Sequence, residues 1–553
     1  MSLPAPLGDV IPEQTIQVAR AAFPKGHPYR RMRDALGPID TNPQFAPLCS
    51  HTGRPAAAPA QLALSTIMQF AEGLSDVQAA DAVRARIDWK YALALELTDP
   101  GFDASVLCEF RQRLITGQAE LLLFETMLTR FREQGLLKAK GRQRTDSTHV
   151  LAAIQRLTRL ECLGDTLRHA RNVLATVAPD WLQSWVPAVW FDRYRQRVAD
   201  YRLPPEKPAR DTLATQIGLD GRQLLWAIYD PATPAWLREV PAIQTLRQLW
   251  LQQFYASPDD QPVRWRHADD LPPAPLLISS PYDPDARYGK KRETEWTGYK
   301  VHLTETCDDE TPNLITDVLT TPATTPDVAV LPTIQNNLAT RQVTPREQFV
   351  DAGYVSADHL LTRRTEHGID LLGPVPGDQS WQGQAANGFA AAQFVLDWDA
   401  KHAICPQGQR SVVWMERPER HGHPTVRIAF SKPVCAACAS RADCTRAATA
   451  PRALRIRERD HYTVLQAARA RQQTDAFKKA YARRAGVEGT IAQGTRTGDL
   501  RRSRYIGFVK TQLMHVLLAA AINFTRAAAW FMERPRARTR PSAFAALAAA
   551  AAR

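Results

Sequence analysis

The sequence predicts a mixed α/β fold that begins with a helical domain and carries two insertions. Residues 58–137 show helical periodicity from end to end. Further along the chain, TGYKVHLTETCDD and PNLITDVLTT have the pattern of the two strands of a β-hairpin. Strands and helices then alternate, and this order after a hairpin favours a mixed α/β sheet.

The N-terminal helices have recognisable boundaries. APAQLALSTIMQFAEGL predicts an amphipathic helix, and Ser75 with Gln78 predicts a capping box for the next one, which runs through AADAVRARIDWKYALAL. DASVLCEFRQRLI and AELLLFETMLTRFREQGLL predict two more. Four arginines on these helices are candidates for contacts with phosphate or base edges, and ordinary surface arginines are the alternative: Arg84, Arg86, Arg111 and Arg113.

The next region is rich in tryptophan. GRQRTDSTHV predicts a short strand, and residues 151–270 after it are helical in pattern and hold seven of the thirteen tryptophans. Such a density predicts an aromatic core between helices, and a stacking surface for an unpaired base is the sharper alternative. The group includes Trp181, Trp185, Trp190, Trp226 and Trp236.

The second half of the chain returns to the sheet. REQFVDAGYV and IDLLGPV predict strands, and a helix precedes each of them. A long helical stretch begins at Asp460, and a final helix spans about residues 505–532. The predicted units are an arm (1–54), a helical domain (55–140), a sheet domain in three pieces (141–155, 280–376 and 455–532), a helical insertion (156–279), a cysteine-containing insertion (377–454) and a disordered tail (533–553).

The positive charge is concentrated at one end of the chain. The 553 residues carry a net charge of +13, but residues 441–553 contain 23 Lys and Arg against 7 Asp and Glu, which leaves −3 for the rest. A basic C-terminal fifth predicts a polyanionic partner, DNA or RNA, and a solvated arginine-rich face is the alternative.

Other sequence features argue against some classes of protein. The N-terminus has no secretory signal, and TQLMHVLLAAAINFTRAAAWF contains His515, Asn523 and Arg526, which favour a packed helix over a membrane span. The sequence contains no GxxxxGK[ST] motif, so the use of a nucleoside triphosphate is not indicated. Four cysteines are scattered singly, as expected for reduced thiols, so we predict a cytoplasmic protein.

Three acidic residues have local contexts that suit a metal-bound carboxylate. Asp146 and Asp351 are predicted at strand ends, and Glu488 lies in a helical, arginine-rich stretch. Carboxylates that converge on two Mg²⁺ ions suit phosphodiester chemistry, because the ions activate a nucleophile and stabilise the leaving oxygen. Each residue has a structural alternative. Asp146 could cap a helix, and Asp351 could form a turn.

The residues before Glu488 share its helix face. Tyr481, Arg484 and Glu488 are spaced i, i+3 and i+7, which places them on one side of a helix. Arg484 is predicted to hold a DNA phosphate and Tyr481 to hydrogen-bond another. Gly486 and Gly489 weaken that helix and predict a local break near the glutamate.

Four further cysteines cluster as C-x29-C-x2-C-x5-C. They are Cys405, Cys435, Cys438 and Cys444. Four thiolates suffice for structural zinc, although only Cys435 and Cys438 form a CxxC half-site. Partly buried, unliganded thiols are the alternative. A redox pair lacks its flanking context, and an iron–sulfur cluster is a minor alternative.

Together these motifs resemble bacterial insertion-sequence transposases of the DDE type. Asp146 in TDSTHV resembles the family's first aspartate, Asp351 in VDAGY the second, and Glu488 in RRAGVEGTIAQ the glutamate. Tyr481, Arg484 and Glu488 resemble a tyrosine–arginine–glutamate–lysine signature, whose lysine position holds Thr495 beside Arg496. The helical domain and the cysteine segment resemble the branch usually numbered eleven-eighty-two.

The resemblance implies a fold, a reaction and partners. It implies that the sheet domain is RNase H-like and catalytic, and that the helical domain binds DNA. It implies Mg²⁺, or Mn²⁺, and cleavage and joining at the terminal inverted repeats of a mobile element. It also implies double-stranded DNA as partner, a homo-oligomeric synaptic complex, and action at the bacterial nucleoid. Further DNA-binding candidates in the basic region are Arg496, Arg501 and Arg504.

Two other functions fit the same residues. A decayed or domesticated transposase would bind DNA without cutting it, and the missing lysine favours that alternative. A host nuclease of the same fold would cut without specificity for element ends. The presence of all three acidic residues favours the active enzyme.

Overall fold

The chain begins with seven helices that pack on the rest of the molecule. A computed structural model describes residues 10–49, 57–196, 203–255, 263–385, 387–418 and 424–535. The helices are α1 (Glu13–Ala22), α2 (Pro28–Leu36), α3 (Pro59–Glu72), α4 (Asp76–Ala85), α5 (Ile87–Ala92), α6 (Ser105–Thr116) and α7 (Leu122–Glu133). The predicted arm therefore includes two helices, although its residues 1–9 and 50–54 lie outside the described residues.

The capping box of α4 is confirmed. The Ser75 side chain accepts the backbone N–H of Gln78, and the Gln78 side chain accepts the backbone N–H of Ser75. The single helix predicted through AADAVRARIDWKYALAL is wrong, because Arg86 has extended backbone dihedrals and separates α4 from α5. Arg86 is held there by ion pairs with Glu72 and Asp88, which local sequence spacing does not indicate.

The first sheet strand leads directly into the helical insertion. Strand β1 (Arg142–Leu151) is followed by α8 (Arg159–Val177), α9 (Pro179–Gln183), α10 (Val189–Arg193), α11 (Lys207–Tyr229), α12 (Pro241–Gln253) and the short strands β2 (Phe254–Tyr255) and β3 (Arg264–Trp265). These elements have their own hydrophobic core. Trp190 and Trp250 are buried in it, as an aromatic core requires, whereas Trp226 and Trp236 are half-exposed.

The central sheet has six strands. After the insertion come β4 (Arg287–Lys291), β5 (Thr294–Thr306), β6 (Ile315–Pro322), α13 (Asp327–Thr340), β7 (Glu347–Val350), α14 (Ala357–His367) and β8 (Asp370–Leu372). Strand β5 pairs antiparallel with β1 along one edge and with β4 and β6 along the other. Strands β7 and β8 extend the sheet in parallel from β1. The predicted hairpin and the mixed α/β sheet are confirmed.

The cysteine-containing insertion forms two small sheets, separate from the central one. Its elements are α15 (Trp381–Gln384), β9 (Val395–Asp397), β10 (His402–Ile404), β11 (Val413–Arg417), β12 (Thr425–Ala429), α16 (Lys432–Ala436), α17 (Arg441–Cys444) and β13 (Ala453–Arg457). Strand β9 pairs with β10 in one sheet, and β12 lies between β11 and β13 in the other. The boundary predicted after residue 454 therefore falls inside β13, which pairs with β12 and not with the central sheet.

Four helices complete the chain, and the last one joins its two halves. They are α18 (Arg459–Gln473), α19 (Asp475–Tyr481), α20 (Gly486–Gly498) and α21 (Phe508–Phe531). Helix α21 packs against α3 on one side and β6 on the other. It is long and apolar enough to cross a membrane, but 78% of its most apolar window is buried, as in a protein core. Of the predicted tail, residues 536–553 lie outside the described residues.

Candidate active site

The pairing of β1 with β7 places the two aspartates side by side. The last parallel pair is Thr145 with Val350, so Asp146 and Asp351 are the next residues on each strand. Asp351 follows the carboxyl end of β7, where open sheets place ligands. The predicted strand-end position of Asp146 is wrong: β1 continues to Leu151 because the long strand β5 pairs with it throughout.

Glu488 approaches the same place from α20. The chain passes from α19 through a 3-10 turn, Ala482–Ala485, and Glu488 lies in the first turn of α20. The predicted break near the glutamate is therefore present, next to Gly486. A Cβ atom on Gly486 would lie 1.8 Å from Nη1 of Arg144, so a larger residue there would require the Arg144 side chain to move.

A single guanidinium contacts all three carboxylates. Nη2 of Arg484 lies 2.6 Å from Oδ2 of Asp146 and 3.9 Å from Oδ2 of Asp351, and its Nη1 lies 3.3 Å from Oε1 of Glu488. The Asp146 side chain is 10% exposed, against 37% for Asp351 and 65% for Glu488. The exposure of the carboxylates to solvent therefore increases from Asp146 through Asp351 to Glu488.

Burial and charge act in opposite directions on these groups. Burial raises the pKa of Asp146 above its ordinary value, and the attraction of Arg484 offsets only part of this. Burial lowers the pKa of Arg484, but the Coulombic attraction of Asp146, with smaller contributions from its neighbours, leaves that pKa raised overall. The guanidinium therefore stays charged and neutralises part of the acidic cluster.

The opposite face of β1 supports the turn that carries Asp351. Tyr354, three residues after Asp351, is fully buried, and its hydroxyl lies 2.6 Å from Nδ1 of His302. Burial lowers the pKa of His302 to about 4, so the imidazole is neutral near pH 7. A Cβ on Gly353 would lie 3.2 Å from Asp327 of α13, so the turn packs closely on that helix.

A second carboxylate cluster lies beside the site, and sequence reasoning missed it. Glu305 is completely buried, and Arg144 and Arg526 donate to its Oε1 and Oε2 at 2.7 Å each. Thr490 of α20 donates its hydroxyl to the same carboxylate. Arg144 and Glu305 are directly opposite each other on β1 and β5. These contacts hold α20, the helix that carries Glu488, against the sheet.

Tyr481 contacts protein at the position where we predicted a DNA contact. Its hydroxyl donates to the carbonyl of Val350 at 3.2 Å, one residue before Asp351, and its ring stacks on Phe477. Burial raises its pKa to about 12. In this arrangement Tyr481 supports the end of β7, and its hydroxyl can reach a phosphate only by leaving that carbonyl.

Other predicted DNA-binding residues of the basic region surround the carboxylates or point to solvent. Arg501 donates to the hydroxyl of Thr148, two residues beyond Asp146 on the same face of β1. Arg496 and Arg504 are exposed. Thr495, at the expected lysine position, donates its hydroxyl to the carbonyl of Ile491 within its own helix. Of Thr495 and the adjacent Arg496, Arg496 is therefore the residue that presents a positive charge to solvent.

The four N-terminal arginines differ in their freedom to bind DNA. Arg111 is buried and makes paired hydrogen bonds to both oxygens of Asp76, so a contact with DNA would require that pair to break. Arg86 bridges Glu72 and Asp88. Arg84 and Arg113 make local ion pairs on their own helices, with Asp81 and Glu109, and Arg84 also donates to the carbonyl of Pro100.

The three carboxylates are ligands of the type that a hard divalent cation prefers, but they are not spaced to hold one. Carboxylate oxygens are the ligands that Mg²⁺ prefers. Within the described ranges, no group of three or more His, Cys, Asp or Glu side chains is spaced to hold a metal ion. The guanidinium of Arg484 accounts for this at the acidic cluster, because the three carboxylates face it and not one another.

Two transposase families match this chain. The family model described as a transposase DDE domain matches residues 404–528, and the transposase domain of the DUF772 family matches residues 17–113. The first match includes Glu488, Arg484 and the four clustered cysteines, while Asp146 and Asp351 lie between the two matches. No curated protein and no solved structure matches. The two matches, which together cover less than half of the chain, support an insertion-sequence transposase of the DDE class.

Proposed function

We propose that this transposase cleaves DNA at the terminal inverted repeats of its insertion sequence and joins those ends to target DNA. The observation that supports the proposal is the convergence of Asp146, Asp351 and Glu488 on one arginine, at the point where the parallel pairing of β1 with β7 ends. Three acidic groups around one cation leave the cluster with net negative charge. Such a cluster attracts divalent cations and repels a bare phosphate.

The three carboxylates would hold Mg²⁺ or Mn²⁺. Bound there, the metal would activate a water or a 3′-hydroxyl and stabilise the leaving oxygen of the scissile phosphate. Asp146 and Asp351 are suited to act together, because β-sheet register fixes their separation. Glu488 is the most exposed of the three and lies on a separate helix, so it can adjust its position as DNA is seated.

Arg484 has two possible partners, and we propose that DNA moves it from one to the other. Its Nε is buried and has no hydrogen-bond partner among the described residues, so the guanidinium can accept a further anion. A DNA phosphate offers a bidentate partner for the same group. If Arg484 turns to that phosphate, the three carboxylates are released to the cation. Metal binding would then depend on DNA.

The surrounding arginines indicate how duplex DNA would be held. Arg501 lies along β1 from Asp146, and Arg496 lies two turns beyond Glu488 on α20. Arg504 follows in the same basic segment. Positive side chains around an acidic centre hold the phosphate backbone on both sides of the bond to be cut. A synaptic homo-oligomer that acts on the bacterial nucleoid belongs to the same proposal.

Strand cleavage of a labelled duplex that carries the element's own terminal repeat tests the proposal. Wild type, Glu488→Gln and Glu133→Gln are compared in Mg²⁺ and in Mn²⁺, with duplex binding measured alongside. Glu133 is an exposed glutamate at the end of α7 and serves as the matched control.

We expect nicking at the element boundary by wild type and by the control, and none by Glu488→Gln. Binding without cleavage by wild type in both metals would overturn the proposal and favour a DNA-binding relic. Cleavage at internal positions with no preference for the boundary would favour a host nuclease.

A further inference from the structure

Four cysteines that are far apart in the sequence surround one small cavity in the cysteine-containing insertion. Cys405 follows β10, Cys435 lies in α16, Cys438 lies two residues past α16, and Cys444 ends α17. All four line a cavity of about 30 Å³, with Phe389 and Phe430 on its apolar side. No disulfide joins them.

The turn at Cys405 directs a backbone N–H at its sulfur. The backbone N–H of Gln409 points to Sγ of Cys405 at 3.3 Å, and the N–H of Gly408 donates to the Cys405 carbonyl at 2.8 Å. Gly408 has a φ of +75°, which a residue with a side chain rarely adopts. A backbone N–H aimed at sulfur is a hydrogen bond of the kind that orients a metal-bound ligand.

Two arginines line the same cavity. Arg441 donates to the carbonyl of Cys435 and to those of Ala447, Ala448 and Ala450, and so ties α16 to the segment after Cys444. Arg452 is half-buried, and its Nε is a buried donor with no hydrogen-bond partner among the described residues. A buried, unpaired guanidinium nitrogen beside four thiols indicates that an anionic group belongs there.

The insertion also lacks a large core of its own. Among its described residues, the hydrophobic cluster contains seven buried side chains: Phe394, Ala403, Val426, Ile428, Phe430, Leu454 and Ile456. Small modules with so little buried apolar surface usually need a metal or a disulfide to fold stably. Cys405, Cys435 and Cys444 pack against this core, so a metal held by the four cysteines would join β10, α16 and α17 into one unit.

We propose that Cys405, Cys435, Cys438 and Cys444 bind one structural Zn²⁺ as four thiolates. Zinc takes four sulfur ligands in a tetrahedron, and a closed site of this kind has no catalytic position. Binding forms four Zn–S bonds, releases the thiol protons to solvent and involves no change in oxidation state. The net charge of −2 on the tetrathiolate faces Arg452 and Arg441.

The thiols must turn inward to reach the ion. As they stand, no group of metal-ligating side chains in the described part of the chain is spaced to hold a metal ion. Each cysteine has a single side-chain torsion, and the cavity between them is about one water molecule in size.

Metal content of the purified full-length protein tests this site, independently of any DNA cleavage. Elemental mass spectrometry is compared for wild type, Cys438→Ser and Cys108→Ser. Cys108 is an exposed cysteine on α6 and serves as the matched control. We expect one zinc per chain in wild type and in the control, and a loss of at least about tenfold in zinc affinity for Cys438→Ser.

A second measurement covers the case in which Cys438→Ser fails to fold. Wild type reloaded with Co²⁺ should show the absorption of a tetrahedral cobalt tetrathiolate, and Cys108→Ser should show the same spectrum. Wild-type protein that binds neither Zn²⁺ nor Co²⁺ would overturn the proposal. So would an intact mass that shows disulfides, or iron and sulfide in place of zinc.

Discussion

Two clusters of charged side chains include Asp146 and Arg144, which lie two residues apart on the same face of β1. The two clusters have opposite ratios of carboxylates to guanidinium groups. At Asp146, three carboxylates share the single guanidinium of Arg484 and two of them are substantially exposed. At Arg144, one buried carboxylate, Glu305, is shared by two guanidinium groups and a hydroxyl. The first cluster has an excess of negative charge, and the second an excess of positive charge.

The difference shows how the same residue types take different roles. Every oxygen of Glu305 is satisfied by partners from β1, α20 and α21, so the cluster has no capacity for a ligand and serves to hold those elements together. The cluster at Asp146 has acceptor oxygens to spare and a cation that can leave. Capacity for a metal is therefore a matter of charge balance and exposure, and not of the presence of acidic residues.

The largest expected effect comes from breaking the buried cluster. Glu305→Gln should lower the free energy of unfolding by about 3–5 kcal/mol, because it leaves two buried guanidinium groups without their counter-ion. Denaturant unfolding measures this, with Glu488→Gln as the exposed comparison, expected within about 0.5 kcal/mol of wild type. Equal effects of the two substitutions would remove the distinction between the clusters.

The same cluster also predicts a pH dependence. Burial raises the pKa of Glu305, but Arg526 and Arg144 more than offset it, so the pKa is lowered overall. A lowered folded-state pKa means that this contribution to stability is present above the ordinary glutamate pKa and is lost as the pH falls through the folded-state value. Glu305→Gln should not show that loss in an unfolding series on the acid side.

The next effect is on catalysis at the exposed cluster. Asp351→Asn should reduce strand cleavage by at least about a hundredfold, the scale of removing a group that stabilises charge in the transition state. Stability and terminal-repeat binding should stay near wild type, since this side chain is 37% exposed. Asp475→Asn, at an almost fully exposed aspartate of α19, is the matched control. Loss of binding together with cleavage would assign Asp351 a structural role.

Asp40 extends the comparison to a carboxylate that contacts no cation among the described residues. Asp40 is buried, neither of its oxygens has a hydrogen-bond partner among the described residues, and burial raises its pKa to about 8. A raised folded-state pKa means that its contribution to stability is full below the ordinary aspartate pKa and is lost as the pH rises towards 8.

Asp40→Asn should therefore stabilise the protein by an amount that grows between pH 5 and pH 8, on the order of 1–3 kcal/mol. Thermal unfolding at the two pH values measures it. A constant difference between variant and wild type would mean that Asp40 keeps its ordinary pKa.

The smallest effect tests the shared guanidinium. Arg484→Gln should raise the affinity for Mn²⁺ in the absence of DNA by roughly tenfold, because a positive charge is removed from among three carboxylates. Calorimetry measures the affinity. Arg483→Gln is the neighbouring control, since Arg483 pairs with Asp309 and not with the site. A lower Mn²⁺ affinity would show that Arg484 positions the carboxylates and does not compete with the metal.

Sequence pattern predicted the sheet and the order of its elements because each depends on local periodicity. The β5–β6 hairpin and strand β7 follow from alternation of apolar residues, and the α4 capping box from spacing alone. The strand predicted at GRQRTDSTHV agrees with β1 (Arg142–Leu151), but the position of Asp146 at a strand end is wrong, because β5, about 150 residues later, pairs with β1 beyond that residue.

The interior of the site depends on long-range contacts, which no local pattern reveals. Gly486 faces Arg144, more than 300 residues away, and read locally it indicates only a weak helix. Glu305 lies among polar residues of a strand and looks like an ordinary solvent-facing glutamate until Arg144 and Arg526 are placed beside it. Local spacing did place Arg484 and Glu488 on one helix face, and the structure sets their hydrogen bond at 3.3 Å.

Helix α21 limits how this transposase can be re-engineered. It lies between α3 of the N-terminal half and β6 of the sheet, and α20 also touches α3. A chimera that takes residues 17–113 from a relative would present foreign side chains to a helix from the far end of the chain. Exchange of the N-terminal helices between relatives should therefore require α3 and α21 to be transferred together, as one pair.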